Sequence, residues 1–167
     1  MRSTSSGSGS LERAGQTARI LDVHHHALVQ LEAHQVVETA LWLALLRACS
    51  GFEPFMKRFQ GKASAETVAR FLVLDPLFPR SVSHCLHAAG ARLERVRTPG
   101  AGAGGQSLAR LLALEADLVR EGPVAIDEGT LHALLTRVVD ETHAICDEIG
   151  RELLGAPPPA PADVDAQ

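Results

Sequence analysis

Glu12, Arg19 and His26 stand seven residues apart in a stretch that reads as the first long helix of the chain. Seven residues make nearly two helical turns, so the three side chains fall on one line, with Asp22 beside it. A carboxylate, a guanidinium and an imidazole on one stripe can bind a carboxylate, an amine or a phosphate. The same residues also have a structural reading, which the pattern favours: Arg19 held between Glu12 and Asp22 locks the helix against a neighbour. The i,i+3 pair Arg19–Asp22 is worth ~0.2–0.5 kcal/mol if exposed and is costly to break if buried. Arg13 lies about 100° around the helix from Glu12, so the two do not share a contact line. Glu12, Arg13, Arg19, Asp22 and His26 form the candidate ligand- or partner-binding set.

Eight histidines raise the question of a metal. Asp22-x-x-His25 and Asp140-x-x-His143 are carboxylate-x-x-His pairs on separate expected helices. Di-metal bundles use such a pair from each of two helices, but with Glu in place of Asp and two further glutamates that are not evident here. Cys85 with His84 and His87, or His143 with Cys146, can each supply two zinc ligands, but no third pair has suitable spacing. A histidine on an apolar helix face is more often a hydrogen-bonded core residue than a ligand. A metal site at Asp22, His25, Asp140 and His143 is therefore the alternative to a chain that needs no metal or other cofactor.

Catalytic signatures are weaker still, and the sequence leans away from an enzyme. No Gly-x-Ser-x-Gly is present, and the three cysteines (Cys49, Cys85, Cys146) occupy semi-apolar helical positions where a thiol is usually inert packing. The glycine-rich stretch at 98–105 lacks the Gly-Lys-Ser/Thr ending of a phosphate loop and follows a helix rather than a strand. Asp75, Pro79, Arg80 and Ser81 form a turn before a helix N-terminus, a place that can accept an anion. Their simpler role is to stop one helix and cap the next.

Composition sets the frame that positions these residues. Apolar residues make up 46% of the 167, too many for a disordered chain, while aromatics are only 4% and Ala and Leu abound. That balance favours helices over sheets. A net charge of −4 gives no electrostatic footprint for nucleic acid. The longest apolar run, Ala40 to Leu46, is too short to span a bilayer, and no signal peptide is visible. Three widely spaced cysteines without a CxxC read as reduced thiols in a cytoplasmic protein.

The spacing predicts an all-α antiparallel bundle of five to six helices. Residues 1–10 are Ser/Gly-rich and expected to be disordered, as is the Pro-rich tail 155–167. Between them lies one helical domain, 11–154, with a flexible linker at 98–105. The first helix runs from Leu11 to Ala33, with Leu11, Ala14, Ala18, Leu21, His25 and Leu28 on one face. The second covers Val36 to Ser50, with Leu41, Leu45 and Ala48 inward, and Gly51 breaks it. A short helical turn, Phe52 to Phe59, follows. Ser64 caps a helix through Leu72 that Asp75-Pro76 stops, and Pro79 opens another to Val96. Gln106 to Arg120 carries Leu108, Leu111, Leu112, Ala116 and Val119. Asp127 caps the last helix, to Leu154, which carries Leu131, Leu134, Leu135, Val138, Ile145 and Ile149.

Two segments in this frame, Leu11 to Val23 and Phe71 to Leu86, resemble the bacterial alpha-E domain, a helical domain defined by a Glu-Arg pair, here Glu12-Arg13. Trp42, Leu45, Leu46, Phe52 and Val68 fit the same pattern. The resemblance is clear over 11–97 and looser over the last two helices. Alpha-E domains look like two similar halves, each with a Glu-Arg-Ala-type segment followed by Phe-Leu-x-x-Asp. This chain carries one such unit, is similar to the second half, and lacks the helix that normally leads into the Glu-Arg pair. A half-domain exposes a face that packs on its twin, so self-association or docking on a partner is expected. The resemblance implies a non-catalytic interaction module associated with ATP-grasp peptide-ligase-like and transglutaminase-like proteins, in peptide synthesis or modification. Beside it stand the metal-binding bundle already described and, third, a truncated fragment of a larger alpha-E protein.

Overall fold

The structure is a computed structural model that describes residues 4–30, 35–60, 63–96, 105–127 and 129–154. Every regular element among them is a helix: α1 (Thr4–Gln30), α2 (Gln35–Ala48), α3 (Phe52–Phe59), α4 (Ala65–Leu74), α5 (Val82–Val96), α6 (Gly105–Asp127) and α7 (Leu131–Leu154). The all-α bundle is as expected, but the described residues hold seven helices rather than five to six. The difference lies in α3. Phe52–Phe59 is a true helix because Phe55 is fully buried, stacks on Phe59 and meets Phe71 edge-to-face, so tertiary packing holds two turns that would not persist alone.

α1 is the central post. Leu11, Ala14, Ala18 and Leu21 are fully buried, and α1 packs mainly against α7 and α5. Small residues allow close approach: a Cβ on Gly15 would stand 3.0 Å from the Thr142 hydroxyl of α7. Contacts between opposite ends make the neighbours antiparallel. Ser10 meets Arg92 while Thr17 meets Arg80, and in the other pair Ser107 meets Glu152 while Glu121 meets Arg137. α6 and α7 are further clamped where the Arg110 guanidinium donates to Glu141 (2.6 and 3.2 Å) and Glu148 (2.7 Å).

Several boundaries and faces differ from the sequence reading. α1 begins at Thr4, within the stretch expected to be disordered, and Ser10 is buried under the guanidinium groups of Arg13 and Arg92. In α2 the buried side is Trp42, Leu45 and Leu46, continued by Cys49 just past its end, and Ala48 is exposed. α5 begins at Val82, not at Pro79. Its cap is Ser81, whose hydroxyl oxygen accepts the His84 N–H at 3.0 Å and whose carbonyl accepts the Cys85 N–H. α6 runs through Pro123 to Asp127 because Ala125 is buried and Leu74 of α4 packs directly on Gly122. Asp127 thus ends α6, and the first carbonyl bond of α7 comes from Thr130. Ser64 caps α4 as expected, in a reciprocal pair with Thr67. Of the expected linker at 98–105, residues 98–104 lie outside the described residues, as does the tail 155–167, whereas Gly105 is the first residue of α6.

Candidate functional site

The two signature segments meet in the middle of the bundle. Asp75 ends α4 with its side chain only 5% exposed. One carboxylate oxygen accepts the backbone N–H groups of Leu77 (2.8 Å) and Phe78 (3.0 Å), and the other accepts from Arg58. The Asp75 carbonyl takes the Ser81 hydroxyl. The segment Asp75–Ser81 is thereby folded into a fixed corner, and the Thr17 hydroxyl of α1 donates to its Arg80 carbonyl at 2.9 Å. The turn is a stop and a cap: the Leu77, Phe78 and His84 N–H groups that an anion would need already donate within the chain. Beneath it, Phe71 stacks on Phe78 with ring centroids 4.5 Å apart.

The Glu12-Arg13 pair is divided between two neighbours, as a 100° step around a helix requires. Arg13 turns toward α5: it donates to Ser10 at 3.0 Å and lies against the Cys85 thiol. Burial pushes that thiol up from its ordinary range, opposed by the positive charges of Arg13, Arg80 and Arg92, and its Sγ donates to the Pro79 carbonyl. Glu12 turns the other way, into a groove of about 330 Å³ between α1 and α7. Arg19 lines the same groove from α1, and Thr142, His143 and Cys146 line it from α7.

The lock of Arg19 between Glu12 and Asp22 does not form. Asp22 pairs across the bundle with Nδ1 of His132 on α7 at 2.6 Å, and the His26 ring stands 6.4 Å from the His132 ring. The candidate stripe therefore divides again: Glu12 and Arg19 face the groove, and Asp22 and His26 face His132. Glu12 accepts only a 3.3 Å bond from Gln16, and Arg19 has no protein partner among the described residues. No sequence spacing pointed to His132, whose partner lies on another helix.

The carboxylate-x-x-His pairs are not brought together. Asp22 is engaged by His132, Asp140 is exposed, and His143 lies in the groove. Among the described residues no three His, Cys, Asp or Glu side chains gather as a metal's ligand set would. Cys49 and Cys85 are buried, with burial pushing both thiols up, so neither is poised as a nucleophile. No helix among the described residues is long and apolar enough to cross a membrane.

A family model named Alpha-E, described as "a predicted alpha-helical domain with a conserved ER motif", matches residues 7–154. Neither a curated protein nor a solved structure matches the chain.

Proposed function

The chain belongs to the Alpha-E family, and on that premise we propose that it is a non-catalytic helical module that docks on protein partners. The observation that carries this reading is the outward face of α6. Leu112 and Val119 are 51% and 64% exposed, with Ala109 and Ala116 exposed on the same side. Residues of the two signature segments support it from the other direction. Arg13, Thr17, Asp75 and Ser81 are engaged within the bundle and hold its shape.

The partners that suit this reading are a second copy of the chain and the ATP-grasp peptide-ligase-like or transglutaminase-like proteins with which alpha-E domains are associated. The chemistry of peptide synthesis or modification then resides in the partner. The setting we propose is the bacterial cytoplasm, which suits cysteines that form no disulfide among the described residues.

The test is light scattering of the full-length chain, alone and mixed with an ATP-grasp or transglutaminase-like protein encoded beside it. The variant Leu112→Asp/Val119→Asp should abolish the complex and leave thermal unfolding unchanged, because both side chains already face water. A chain that stays monomeric and joins none of these proteins would refute the reading. So would a complex indifferent to charge on α6.

A further inference from the structure

We propose that the groove between α1 and α7 binds a small zwitterion whose ammonium and carboxylate groups stand about 10 Å apart, the charge spacing of a short peptide with free ends. The fold leaves two charges of the groove available. Arg19 lines the groove with no protein partner among the described residues, and Glu12 accepts only the long bond from Gln16. Asp22, the neighbour best placed to neutralise Arg19, is drawn away to His132. Among the described residues, one wall of the groove thus carries an unpaired cation and a nearly unpaired anion two turns apart.

Their spacing selects the ligand. Seven residues at 1.5 Å rise place the two positions about 10.5 Å apart along α1. A simple anion meets Arg19 but is repelled by Glu12, and a simple cation meets the reverse. A molecule with both charges satisfies both only if they are separated to match. An extended peptide advances ~3.3–3.6 Å per residue, so a tripeptide has the reach and a single amino acid does not. Between the two charges the floor is narrow, since Gly15 packs against Thr142. The Thr142 hydroxyl donates its proton to the Val139 carbonyl, so toward the groove it can only accept, as a ligand N–H requires. His143 on the facing wall offers a second polar contact. None of these residues belongs to the α6 face, so the site does not depend on the docking role.

The experiment is a titration of the isotope-labelled full-length chain by amide NMR, with triglycine and ω-aminooctanoate as probes. Both carry the two charges at similar spacing, and only triglycine has amides between them. Saturable shifts are expected at Gly15, Arg19 and His143. N-acetyltriglycine and triglycinamide should each bind roughly tenfold more weakly, the loss of one charge-assisted hydrogen bond. Arg19→Ala should weaken triglycine by the same factor and make triglycine and its amide equivalent. Glu12→Gln should do the same for triglycine and its N-acetyl form. Neither residue supports the core, so unfolding of both variants should match the parent.

Binding by triglycine alone supports a site that also reads the backbone amides. Binding by both probes supports one that reads only the charges. The proposal is overturned if neither probe gives saturable shifts. It is also overturned if binding ignores both blocking groups and both variants, or if inorganic phosphate binds more tightly than the zwitterions.

Discussion

Replacing Asp75 by alanine is the sharpest test of what the second signature does. The carboxylate accepts two backbone N–H groups and the Arg58 guanidinium, and the Phe78 N–H is a buried donor. Removing the acceptor leaves that donor without a partner, a cost of about 1–3 kcal/mol. The Leu77 N–H is nearer water, so its loss is about 0.5–1.5 kcal/mol. The Arg58 pair adds at most about 1 kcal/mol, because Arg58 is 41% exposed and can be rehydrated. The sum is about 3 kcal/mol, and for a domain of this size that lowers Tm by roughly 6–12 °C. Asp75→Asn separates turn from charge. Its amide oxygen can keep both backbone bonds, so it should cost only about 1 kcal/mol. Urea unfolding of the three proteins, followed by helical circular dichroism, measures both differences. If the alanine variant lies within about 0.5 kcal/mol of the parent, the corner does not hold the fold. If asparagine is as damaging as alanine, the ion pair rather than the turn is what matters.

Other outcomes follow from the same kind of reasoning. Gly51→Ala should destabilise by about 1–3 kcal/mol, because a Cβ there would stand 3.0 Å from the Phe71 ring and 3.1 Å from the Phe78 ring. Ser50→Gly should instead stabilise by up to about 1 kcal/mol, since Ser50 holds the left-handed φ of 56° that ends α2; calorimetry of the pair checks both signs. The Arg110 guanidinium holds the Glu141 carboxyl below the usual glutamate range. Its contribution should therefore be present above the unfolded carboxylate range and be lost as pH falls through the lowered folded value, and Arg110→Gln should flatten that acid limb of the stability profile. Cys146 lines the groove while Cys49 and Cys85 are buried. Iodoacetamide should thus modify Cys146 first and the other two only on unfolding, as peptide mapping would show.

How legible the molecule was depended on whether one helix alone could settle the question. α7 has one apolar face, and Leu131, Leu134, Leu135, Val138, Ile145 and Ile149 are all buried as the spacing predicts. α6 is apolar on most of its circumference. Leu108, Leu111, Leu114 and Leu118 make as good a helical stripe as Leu112, Ala116 and Val119, and only packing against α4, α5 and α7 decides that the first set is inside. α3 is too short for periodicity to speak, and a cluster of phenylalanines drawn from three segments holds it. At the candidate site, Glu12 and Arg19 were legible because their spacing is local. The diversion of Asp22 to His132 was not, because the two lie 110 residues apart in sequence.

That diversion changes what the first signature means. Had Arg19 been clasped by Asp22, the charged stripe of α1 would be one more brace between helices, and its loss would be felt as stability. Instead the bracing falls to groups one step around the helix, where Ser10 accepts from Arg92 of α5 and Thr17 reaches the Arg80 carbonyl. A single helix thus shows two chemistries on adjacent lines, one fastening α5 and the other left open toward α7. Mutations along α1 should sort the same way. Thr17→Val leaves a carbonyl without its donor and should cost about 1 kcal/mol of stability with no effect on the groove. Arg19→Ala should cost none, and any phenotype it has must come from what the groove binds. Equal stability losses from the two substitutions would mean that α1 has one role rather than two.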